Sequence, residues 1–98
     1  MKINNHKYIF YDKWYGVNSN TYIKYNDKDK SYDFLEIILT KSDNGLYRLW
    51  FNGPDFPIMA SLYDRIYGSP RKQFNNIKQA MQQADRFLVI IEQLSVYL

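Results

Sequence analysis

The chain has 98 residues, 46% of them hydrophobic and 23% charged, with 13 basic against 10 acidic side chains and no cysteine. Such a chain has room for one modest core, enough apolar residues to fold, and no means of making a disulfide or a thiolate metal site. A net charge of +3 is weak for a dedicated nucleic-acid binder and the wrong sign for a DNA mimic, which needs dense carboxylates.

No stretch reaches the roughly 20 apolar residues that cross a bilayer. The first residues, MKINNHKYIFY, lack the unbroken apolar run of a signal peptide. A cytoplasmic protein of one domain, residues 1–98, is expected, with no membrane partner.

Taken in chain order, Lys7 to Tyr15 is aromatic and β-favouring, and Gly16 to Asn20 reads as a turn. Thr21 to Tyr25 alternates, with Tyr22 and Lys24 on one face and Ile23 and Tyr25 on the other. The polar run Asn26 to Ser31 follows as a loop. Phe34 to Thr40 and Leu46 to Phe51 are β-rich runs separated by a segment ending in Asp43-Asn44-Gly45. A three-residue loop with Gly45 in the left-handed region predicts a bulged hairpin. That register pairs Leu39 with Leu49 and Ile37 with Phe51. It collects Leu35, Ile37, Leu39, Tyr47, Leu49 and Phe51 on one apolar wall and leaves Glu36, Ile38, Thr40, Arg48 and Trp50 on a mixed one. A two-residue turn at Asn44-Gly45 would shift every side chain to the opposite face.

Asn52 to Pro57 is a stiff turn, after which Ile58, Met59, Leu62, Tyr63 and Ile66 recur at helical spacing. Tyr67-Gly68 ends that short helix. Ser69-Pro70 then has the chemistry of a helix start, a hydroxyl cap followed by proline at the first turn. From there to about Leu94, Phe74, Ile77, Met81, Ala84, Leu88 and Ile91 step by threes and fours. A second stripe of Ala80, Phe87, Ile90 and Leu94 widens the apolar face. The expected fold is α+β: a small antiparallel sheet of three to five strands packed by a C-terminal helix roughly 37 Å long.

The functional groups are sparse. His6 is the only histidine and has no cysteine to pair with. Asp27 to Asp33 alternates oxygen ligands like a calcium loop. However, Tyr32 stands where the turn needs glycine, and Glu36 comes too early to be the bidentate ligand. The four glycines form no phosphate cradle. No catalytic residue, metal site or cofactor is therefore assigned. An unrecognised carboxylate site at Asp55, Asp64 or Glu36 is the enzyme alternative.

Two surfaces point to binding. Tyr8, Tyr11, Trp14, Tyr15, Tyr22, Tyr25 and Trp50 are more aromatics than one inner sheet face absorbs, and Tyr and Trp dominate interface hot spots. Trp14, Tyr22, Trp50, Tyr63 and Tyr67 are the candidates for contact with a partner protein. Arg65, Arg71, Lys72 and Lys78 form an acid-poor basic stretch at the expected start of the long helix. There the dipole favours phosphate and Tyr63 and Tyr67 could stack on bases, so nucleic acid or an acidic protein is the alternative partner. The broad Phe87–Ile91 surface calls for cover from two sides, by the short helix or by a second copy in a homodimer.

In general cast the chain resembles small phage and mobile-element proteins of low-G+C bacteria: short, cysteine-free, rich in Tyr and Asn, a meander followed by a helix. Anti-CRISPR and other anti-defence inhibitors are of this type. The resemblance implies a stoichiometric inhibitor that occupies the surface of a host defence protein, and it assigns no site residue.

Overall fold

The β-hairpin at the centre of the sequence organises the rest. The computed structural model describes residues 9–26, 35–54 and 56–96. Strands β1 (Tyr15–Asn18), β2 (Thr21–Tyr25), β3 (Glu36–Lys41) and β4 (Tyr47–Asn52) form one antiparallel sheet in sequential order, followed by helices α1 (Phe56–Tyr67) and α2 (Ile77–Val96). This is the α+β arrangement expected, and the short helix that the Ile58–Ile66 spacing predicts is α1, which joins α2 against the sheet.

The β3–β4 register pairs Ile37 with Phe51 and Leu39 with Leu49, as the three-residue loop predicts. The Ser42 amide donates to the Leu46 carbonyl (2.9 Å), and Gly45, at φ +82°, closes the loop by donating to Ser42. Glycine adopts that conformation without the Cβ clash other residues meet. Leu35, Ile37, Leu39, Leu49 and Phe51 are accordingly buried on one face.

That face meets α2 through Ala80, Ala84, Phe87, Leu88 and Ile91, spaced at about one helical turn, and α1 through Met59, Leu62 and Tyr63. Phe87 lies edge-on to Phe51 (5.4 Å) and to Tyr63 (5.1 Å), so rings from β4, α1 and α2 lock together. Of the broad apolar face of α2, Phe87, Leu88 and Ile91 are buried, with Tyr63 and Tyr67 of α1 packing on Phe87, whereas Val89 stays 52% exposed.

The helix start is a correction. The spacing predicts a helix from Ser69-Pro70, but α2 begins at Ile77. Gly68, at φ +98°, ends α1 by donating to the Asp64 carbonyl (2.8 Å). The chain then runs beside β4. Phe74 exchanges two backbone hydrogen bonds with Tyr47 (2.6 and 3.0 Å), and its ring is buried. The Ser69–Pro70 peptide is cis. Strand-like pairing with an edge strand outcompetes the cap, and Asn76 starts the helix instead, its Oδ1 accepting from the Lys78 amide (2.8 Å).

The first strand also moves. Within the described part of Lys7–Tyr15, Phe10 makes only an isolated bridge to Asn26, and β1 starts at Tyr15. Gly16 and Val17, expected in a turn, belong to β1; the turn is Ser19-Asn20, where the Asn20 amide donates to Asn18 Oδ1 (2.8 Å). The preceding residues are drawn to α2 instead. The Phe10 amide donates to Glu92 Oε1 (3.1 Å) and the Trp14 indole to Asp85 Oδ1 (3.2 Å). His6, Asp55 and the whole of the Asp27–Asp33 segment lie outside the described residues.

Candidate functional site

The helices cover one face of the sheet, and no described element packs on the other. Alternation puts Thr21, Ile23 and Tyr25 of β2, Glu36, Ile38 and Thr40 of β3, and Arg48, Trp50 and Asn52 of β4 on this outer face. The register then does something the individual strands do not show. Tyr15 pairs with Ile23, Ile23 with Ile38, and Ile38 with Trp50, so four apolar side chains from four strands fall in one lateral row. Three inter-strand gaps make that row roughly 14 Å long.

Its ends are exposed, Tyr15 at 49% and Trp50 at 46%, and its middle, Ile23 and Ile38, is half-buried. Tyr15 packs against Tyr25 (6.0 Å between rings), and the Trp50 indole donates to Thr40 Oγ1 (2.9 Å), which holds it over the sheet. Polar rows flank the belt: Thr21, Thr40 and Arg48 on one side, Tyr25, Glu36 and Asn52 on the other. Glu36 accepts from Asn52 Nδ2 (2.6 Å), which satisfies the one carboxylate on this face.

No protein-family model matches the chain, and no curated protein or solved structure is significantly similar to it. The surface chemistry therefore carries the functional reading.

Of the five aromatic candidates, only Trp50 stands on the outer face. Tyr63 is a core residue, 1% exposed, and is out of a partner's reach. Burial raises its phenol pKa, opposed by a hydrogen bond to Gln83. Tyr67 leans on Tyr63 (4.7 Å) and Phe87, half-buried, its pKa also raised by burial. Tyr22 points to the core side. Trp14 is half-buried at Asp85, with the Lys24 ammonium 5.5 Å from its ring centre.

The basic candidates separate as well. Arg65 is exposed in the last turn of α1, where a cation complements the helix dipole, and Lys78 is exposed in the first turn of α2. Arg71 and Lys72 lie between the helices in the segment beside β4, not on a helix N-terminus. Arg71 is engaged inside the molecule: its Nε donates to Asp64 (2.7 Å), its Nη1 to the Leu49 carbonyl (3.2 Å), and its guanidinium sits over the Phe51 and Tyr63 rings. It shields the edge of β4 beyond the Phe74 pairing.

Asp64 is thus the anionic half of an ion pair, and no group of three metal-binding side chains occurs among the described residues. Nor is any described helix long and apolar enough to cross a membrane. The residues that sequence reasoning missed are Ile23 and Ile38, ordinary strand residues whose role comes only from lateral pairing.

Proposed function

We propose that this protein is a non-catalytic binding module that docks a partner protein on the outer face of its sheet, in the manner of an inhibitor that occupies another protein's surface. The observation that carries this reading is the Tyr15–Ile23–Ile38–Trp50 row, an apolar belt with polar rows on both sides. Interfaces have that anatomy, an apolar centre rich in Tyr and Trp within a polar rim. A single belt is smaller than the ~800 Å² that one side of a stable complex buries, so the polar rows belong to the contact. A host defence protein is the partner class that the chain's phage-like cast suggests.

The test is affinity capture from a bacterial lysate, with and without nuclease, at low and moderate salt. A protein that persists through both treatments, and whose affinity falls roughly thirtyfold with Trp50→Ala and clearly with Tyr15→Ala, is the expected result. Both side chains are about half exposed, so the fold should tolerate their loss. Capture of nucleic acid alone, lost as salt rises, would transfer the function to the basic residues.

A further inference from the structure

Where the belt ends at β4, the surface changes character. Between β4 and the segment after α1 lies a cleft of about 320 Å³, lined by Arg48, Trp50, Ser69, Pro70, Arg71 and Lys72, with Asp64 at its side. Trp50 belongs to both belt and cleft, which makes the two continuous. Asp64 is matched by Arg71, leaving Arg48 and Lys72 as excess positive charge. Neither has an acidic partner among the described residues. The volume suits one large side chain and its neighbours, at the small end of ligand clefts.

We propose that this cleft is a carboxylate-binding subsite: it receives an acidic side chain of the docked partner protein while the partner's apolar surface covers the belt. The inference rests on the docking reading above and adds the partner's charge. Arg71, fixed by Asp64, Leu49 and two aromatic rings, is a rigid, charge-compensated wall of the cleft that need not be ordered on binding, and the partner's carboxylate is met by Arg48 and Lys72. Arg48 and Lys72, both exposed at the rim, meet the carboxylate as cations steering an anion, Lys72 from its place over the Phe74 ring (5.4 Å).

A protein segment fits better than a nucleic acid. Successive bases need successive flat rings, yet the middle of the belt is two isoleucines. The rows beside it are largely uncharged (threonines and an asparagine among them), so among the described residues of this face a phosphate backbone would find cations only at the cleft.

The test is an NMR titration of the full chain with four probes: a blocked pentapeptide carrying two adjacent glutamates and a leucine, its glutamine counterpart, adenosine monophosphate, and inorganic phosphate. The glutamate peptide should give saturable shifts at the amides of 48–50 and 71–73, weakened by added salt, and the glutamine peptide should not. The double variant Arg48→Glu/Lys72→Glu, both sites exposed, should keep its melting temperature and bind the glutamate peptide roughly tenfold or more weakly.

Silence from the glutamate peptide overturns the proposal. So does tighter binding of adenosine monophosphate or phosphate at the same amides, which would make the cleft a phosphate site. Capture by Tyr15→Ala, outside the cleft, separates the two readings. If the peptide is silent but Tyr15→Ala loses the lysate partner, the subsite falls and the docking face stands. If the peptide binds but Tyr15→Ala captures normally, the subsite stands and the belt does not dock.

Discussion

Lys24 is the residue whose position strains its chemistry most. It sits on the inner face of β2, 7% exposed, and its Nζ reaches Asp85 Oδ1 on α2 at 2.8 Å. The ion pair keeps the ammonium there, and the same carboxylate also accepts from Trp14, so one acid holds a strand, the N-terminal segment and a helix together. Asp85→Ala should leave the charge uncompensated. Because the Asp85 side chain is itself 45% exposed, water recovers part of the loss, and about 1–2 kcal/mol is the expected destabilisation in urea unfolding. The double variant Lys24→Met/Asp85→Ala should regain much of it, since an apolar side chain of similar length needs no partner. Were Asp85→Ala neutral, the triad would be incidental. Tyr63 offers a pH handle. Its folded pKa is raised above the ordinary phenol value of about 10, so the folded state favours the protonated form. Its contribution is therefore fully present below pH about 10 and is lost as pH rises through the folded value. The melting temperature should fall more steeply with pH above about 10 in the wild type than in Tyr63→Phe, measured by circular dichroism.

At the scale of elements, the sequence specified what local chemistry decides and missed what pairing decides. The hairpin was legible because Gly45 and the alternation of Leu35, Ile37 and Leu39 all demand the same register. Gly45→Ala should cost about 1 kcal/mol by forcing a Cβ into the left-handed region, although the space around it is open. Leu49→Asp, at 3% exposure, should abolish the cooperative melt by burying a charge against Phe51 and α2. A folded Leu49→Asp would mean the wall faces water. The false helix start arose because Ser69-Pro70 offers a hydroxyl cap and a first-turn proline, although Arg71 and Lys72 follow where a helix start favours acids. What defeats it is the Phe74 pairing with Tyr47, a contact 27 residues apart in sequence that no periodicity announces. The outer belt escaped notice for the same reason. Trp50 could be singled out as a type, but Ile23 and Ile38 gain their role only from neighbours on other strands, and Tyr63, which fits both the apolar stripe of α1 and a binding surface by its type, is assigned to the core by Phe51 and Phe87.

The whole molecule is asymmetric across its sheet, and the asymmetry bears on how the docking face behaves. The β4 edge is shielded by the Phe74 pairing and by Arg71, and β4 touches both helices. The β1 edge has four exposed residues, pairs among the described residues only with β2, and shifts register between Gly16 and Asn18. A short, irregular edge resists pairing with another chain, but it also has little to hold it closed. The belt thus has a firm end at Trp50 and a soft end at Tyr15. Amide hydrogen exchange should show this directly: β3 and the buried turns of α2 exchanging near the global unfolding limit, and the β1–β2 amides opening at much lower free energy. A partner that lies along the belt must pin Tyr15 against Ile23, so binding should slow exchange in β1 far more than in β3, which is already protected. Uniform slowing across the sheet would instead indicate that the partner stabilises the fold as a whole, and no slowing in β1 would mean that it engages the Trp50 end alone.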